Sequence, residues 1–159
     1  MFLTNLFSRK NSRLQHQREM MKWRADKQLE VLSRIGQLLV QTRHALEVHE
    51  ERGRRAVQLR EVRAALAEIN AADEEARKAR QELEAKLEEL AALSGSAGFA
   101  LSDKLWVKLQ TVEGTFVDVR TKELGPNDRP PQLTELDKLI SEVIADVRSE
   151  VESLRHPSG

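Results

Sequence analysis

Chemistry near neutral pH would draw first on histidine, and the chain has four: His16, His44, His49 and His156. Only His44 and His49 lie near each other. Five residues of helix turn through about 500°, so the two rings would sit about 140° apart and cannot share a metal within one helix. His44 and Glu47 do fall on one face at i,i+3, but 33% of the residues are charged and a solvated pair is the expectation. A di-iron helical bundle requires inward carboxylates and two Glu-x-x-His pairs, and the sequence contains no such pair.

Cysteine is absent, which removes disulfides, thiolate zinc sites and thiol nucleophiles. Carboxylates are plentiful, yet Glu74, Glu75, Glu82, Glu88 and Glu89 fall on the outer positions of the repeat described next, the distribution of a solvated face. A general acid and base need unlike, partly buried surroundings to separate their pKa values, and no spacing here suggests one. Gly95-Ser96-Ala97-Gly98 lacks the following Lys-Ser/Thr of a phosphate loop and does not match a Gly-x-Ser-x-Gly turn. The expectation is a non-enzymatic protein with no catalytic residue, no metal, no cofactor and no small-molecule substrate.

What remains is surface for other molecules, and that depends on the helices. Leu59, Val62, Leu66, Ile69, Asp73, Ala76, Arg80, Leu83, Leu87 and Leu90 recur in alternating threes and fours. That spacing keeps one stripe of an α-helix against a partner and predicts a coiled-coil seam. No Pro or Gly occurs from Arg54 to Ser94, so the whole span is expected to be helical. Asp73 and Arg80 would face their own kind in a parallel, in-register pair, which is costly. They favour an antiparallel neighbour, or else pairing within the helix as Asp73 with Arg77 and Arg80 with Glu84.

Upstream, Leu29, Leu32, Ile35, Leu39 and Leu46 form a wider apolar stripe, with Gly36 inside it. The register shifts around Glu50 to Arg55, where charge surrounds Gly53, and a continuous or kinked helix over 20–93 is expected, with any kink near Gly53. Ser94 to Gly98 breaks it. Beyond, Leu105, Leu109, Val112, Phe116 and Val119, widened by Trp106 and Val107, predict a helix. A β-hairpin turning at Glu113-Gly114 would mix faces and is the weaker alternative. Gly125 to Pro131 predicts a stiff loop, and Leu133 to Leu154 a last amphipathic helix.

The predicted architecture is one all-α domain: a basic N-terminal segment over 1–19, partly disordered or amphipathic, the long helix 20–93, and a two-helix region 94–159. The two shorter helices would fold back antiparallel on the C-terminal half of the long one. The stripe over 29–48 then has no intrachain partner, which predicts a homo-oligomer or a protein partner, in a scaffold or protein–protein interaction role.

The charges suggest alternatives. Residues 1–63 hold 14 Lys/Arg and 7 Asp/Glu, while 64–159 hold 12 and 19. Phe2, Leu3, Leu6 and Phe7 followed by Arg9, Lys10 and Arg13 could rest on an anionic membrane surface. The basic half could instead contact nucleic acid, without the aromatic interleaving expected for single strands. No run approaches the roughly 18 apolar residues of a spanning helix, and the order of charge and apolar residues is wrong for a secretory signal. A cytoplasmic location is expected, with the inner face of a membrane as its peripheral variant.

Overall fold

A computed structural model describes residues 2–121 and 131–156, with side chains over 11–98, 100–116 and 133–156. The described residues form four α-helices and no strand. They are α1 (Phe2–Glu61), α2 (Leu66–Ser96), α3 (Asp103–Thr121) and α4 (Pro131–Arg155), with a single 3₁₀ turn at Gly98–Ala100. The chain is an all-α helical bundle. The helix expected over 105–120 is formed as part of α3, while the loop expected over 125–131 lies outside the described residues except for Pro131, which opens α4.

Cross-helix contacts give the directions. Arg60 and Arg52 of α1 pair with Asp73 and Glu75 of α2, so α2 returns along α1. Arg43 meets Asp137 and Gly36 lies against Val147, so α4 also runs against α1. Lys108 meets Asp146, and Ser102 meets Glu150, which sets α3 antiparallel to α4. α3 also touches α2, closing the ring. One core joins Leu32, Ile35, Leu39 and Leu46 of α1 with Leu83, Leu87 and Leu90 of α2, Leu105, Leu109 and Val112 of α3, and Leu136, Ile140 and Val143 of α4.

The continuous helix expected over 20–93 is instead two helices. α1 passes through Gly53 unbroken and ends at Glu61, and Val62 to Ala65 reverse the chain. Arg63 takes a φ of 53°. The Arg63 N–H donates to the Arg60 carbonyl (3.1 Å) and the Ala64 N–H to the Leu59 carbonyl (3.0 Å). These are the two bonds of a Schellman cap, with Arg63 in the left-handed position that usually holds Gly. Placing a non-glycine residue there costs about 1–2 kcal/mol. Against this, folding α2 back buries Leu83, Leu87 and Leu90, each worth about 1.5–3 kcal/mol. Burial exceeds the local cost, and the helix breaks where no helix breaker is present.

Gly36 has a packing reason. A Cβ at this position would meet Val147 Cγ1 at 3.3 Å, so the absent side chain lets α1 and α4 approach closely. Farther along the hairpin of α1 and α2, the buried residues are the small side chains Ala56, Ala72 and Ala79.

Candidate interaction surface

The structure relocates the residues that carried the sequence expectations. Leu32, Ile35 and Leu39 are 0% exposed and Leu46 is 1%, while Leu29 is half-buried. The stripe expected to need an outside partner is filled by α2, α3 and α4 of the same chain, because α4 lies along the first half of the folded part of α1. The seam divides in two. Leu83, Leu87 and Leu90 are buried, Leu59 and Ile69 are half-buried, and Val62 and Leu66 are exposed at the reversal. Trp106 and Val107, expected to widen the α3 stripe, are exposed as well.

Asp73 and Arg80 behave as an antiparallel neighbour allows. Asp73 accepts from Arg60 across the hairpin at 2.6 Å, and Arg80 meets Glu84 at 3.2 Å within α2. Arg77 pairs with Glu74 rather than Asp73 (2.6 Å), which lowers the Glu74 pKa through that hydrogen bond.

Little in the body resembles a reaction centre. Among the described residues no three His, Cys, Asp or Glu side chains lie together as a metal site would require. His16, His44 and His156 are exposed, as expected of solvated residues, whereas His49 is partly buried. Its Nδ1 is buried without a hydrogen-bond partner. Burial foremost, then Arg80, pushes its pKa below the usual histidine value, with Glu50 and Glu84 opposing. The open grooves flanking α1 are lined by Arg34, Gln41 and Glu89 on the α2 side, and by Val40, Val147 and Val151 on the α4 side. Neither contains a histidine.

The surface that stands apart is the start of α1. Every described residue from 11 to 26 is exposed, including Leu14 (44%), Met21 (67%) and Trp23 (56%). Arg13 is exposed here, and α1 includes Phe2, Leu3, Leu6, Phe7, Arg9 and Lys10 in its backbone, while their side chains lie outside the described residues. No helix of the described residues is long and apolar enough to cross a membrane.

The chain matches no known family. Compared with protein-family models, curated proteins and solved structures, it aligns with none of them. The exposed start of α1, its N-terminal arm, has a geometry of its own.

That geometry is a repeat. Writing α1 in heptads with Ile35 at a, its buried residues all fall on a, d or e: Ile35, Thr42 and Ala56 at a, Leu38 and Ala45 at d, and Leu32, Leu39 and Leu46 at e. The same register, carried back without interruption, puts Leu14 and Met21 at a. Ile35, Thr42 and Ala56 of that line are buried in the body, Gln28 and His49 are half-buried, and Leu14 and Met21 are exposed in the arm. The arm differs in width, because its e positions are Asn11, Arg18 and Ala25 rather than leucines. In the body the broad a/d/e face serves two neighbours, and in the arm only a narrow line remains. The sequence carried this signal in the spacing of Leu14, Met21, Ile35 and Thr42 by multiples of seven, with Gln28 at the intervening a position.

Proposed function

We propose that this chain is a non-enzymatic helical adaptor, with a body that completes its own core and a protruding N-terminal arm that binds a protein partner. The observation that carries the reading is the a register of α1, which runs from the body into the arm across a half-buried Gln28. Ile35 and Thr42 are 0% exposed, while Leu14 and Met21, on the same line, are 44% and 67% exposed. α4 ends at Arg155, which lines a groove with Leu32 and Ser33 of α1, so α1 continues toward its N-terminus past the helices that cover it. An apolar helix line left this way is a contact surface.

Self-association through 29–48 loses its support once that stripe is buried. Binding flat on a lipid surface is also disfavoured. α1 is one helix from Phe2 to Glu61, and α2 and α4 flank the line on which Leu14 and Met21 sit. The body would therefore stand between that side of the arm and a flat bilayer. A helical partner, lying end to end with the body's own helices, meets no such obstacle.

The division into body and arm is tested by replacing Leu14 and Met21 together with Gln in the full chain. The unfolding free energy of the body in urea is expected to stay within about 0.5 kcal/mol of the parent, as for surface substitutions. A loss above 2 kcal/mol would mean that the body itself uses the arm's apolar line, and the proposed division would fail.

A further inference from the structure

The arm's charges specify the chemistry of its partner, an inference that rests on the arm being the binding surface. Between residues 11 and 27 the arm carries Arg13, Arg18, Lys22, Arg24 and Lys27 against Glu19 and Asp26. Their heptad positions are uneven. Arg18 is at e, Arg13 and Lys27 are at g, and Arg24 is at d, all in or beside the contact line, while Lys22 is at b on the outer side. Glu19 and Asp26 are both at f, the position farthest from it. Glu19 also accepts from Gln15 along the outer side (3.3 Å). Lys27 is shared with Glu30 (2.8 Å), where hydrogen bonding to the lysine foremost holds the Glu30 pKa low.

Charges at e and g select the partner in a two-helix contact, because each faces the corresponding flank of the other helix. A flank holding Arg13 and Arg18 without a carboxylate repels a second copy of itself laid alongside. Lipid is disfavoured by the position of the body, as argued above. Arg24 and Gln17 at d further reduce the value of a purely apolar seam and favour long acidic side chains opposite them. We infer that the arm is recognised by an amphipathic helix of another protein, with an apolar a/d line flanked by Glu or Asp, forming a two-helix coiled coil over roughly residues 11–27.

The contact spans about 24 Å of helix at 1.5 Å per residue. A partner that short is held by few apolar side chains, so the flanking charges should have a large share in the affinity and a stronger one in the choice of partner.

The test uses the full chain and two synthetic helical peptides with the same leucine a/d line, one with Glu and one with Lys at e and g. Fluorescence anisotropy is read at low salt. The acidic peptide is expected to bind at least tenfold more tightly than the basic one, with affinity falling as salt is raised. Arg13→Glu with Arg18→Glu should reverse that order, and Leu14→Gln with Met21→Gln should weaken both peptides. Equal binding of the two peptides, or no reversal in the double charge variant, would overturn the inference. So would a Leu14-dependent dimer of the chain alone in sedimentation velocity, or binding to vesicles of anionic lipid with none to the acidic peptide. The urea experiment on the body is independent of these outcomes. A stable body with no peptide preference rejects the partner chemistry alone, whereas a destabilised one rejects the body-and-arm division.

Discussion

Replacing Arg63 tests the reversal that gives this molecule its shape, because the sign of the effect depends on whether the chain turns there. In the structure Arg63 sits at φ 53° in a Schellman cap. Glycine reaches that conformation without the steric cost of about 1–2 kcal/mol borne by other residues. Its freer unfolded chain takes back about 0.4–1 kcal/mol. Arg63→Gly should therefore stabilise by up to about 1 kcal/mol. Arg63→Ala removes the charge but keeps the Cβ, so comparing the two variants isolates the backbone effect. If α1 and α2 were one continuous helix, Gly would instead be less stable than Ala by about 1 kcal/mol. The two geometries differ by about 2 kcal/mol in the Gly-minus-Ala difference, which urea unfolding followed at 222 nm can separate. The same logic holds at Ala65, which precedes α2 with no side-chain cap and has Glu68 three residues on. Ala65→Ser would build a capping box and stabilise by about 1 kcal/mol. An Arg63→Gly variant less stable than Arg63→Ala would refute the turn.

The core assigns further effects. Leu39, fully buried among helices of its own chain, should lose about 2–5 kcal/mol on Leu39→Ala, and the unfolding midpoint should not change with protein concentration, as it would if a second copy covered the stripe. Gly36→Ala should be nearly neutral in urea unfolding, since about 1 kcal/mol of helix propensity is offset by the 3.3 Å approach to Val147; Gly36→Leu should destabilise by about 1–3 kcal/mol. Because the folded state holds the His49 pKa below 6.5, it binds that proton less readily than the unfolded chain, so the contribution of His49 is intact above about pH 6.5 and is lost as pH falls through the folded pKa. His49→Leu should flatten the pH dependence of the urea midpoint between pH 7.5 and 5, and an unchanged slope would count against the burial of its ring.

Some of this was legible in the sequence because it depends on local spacing. The alternation of Leu83, Leu87 and Leu90 places one face of α2 on a neighbour whatever that neighbour is, and the structure buries all three. Asp73 likewise argued for an antiparallel neighbour, and Arg60 meets it across the hairpin. The reversal at Arg63 was not legible, since neither Arg63 nor the alanines after it weaken a helix as glycine or proline would. The information that breaks the helix there is nonlocal: it is the apolar face of α2, which gains more by folding back than the cap costs.

The expectation that the stripe over 29–48 lacks a partner within the chain fails for the same reason. Counting apolar residues along 29–48 shows how much surface needs covering but not which helix reaches it. That depends on where α1 ends. Once the chain reverses at 62–65, α2 takes one flank of α1, and α4 reaches back as far as Leu32 and Gly36, so Leu32, Ile35, Leu39 and Leu46 are all covered within the chain. The excess moves to the part of α1 that α2 and α4 are too short to reach. There the apolar residues are fewer, yet Leu14 and Met21 are exposed on a line whose Ile35, Thr42 and Ala56 are buried in the body. In a chain whose longest helix outruns its neighbours, the position of a helix end decides which residues are core and which are contact surface. The seven-residue register runs through both, on a face that is broad in the body and narrow in the arm.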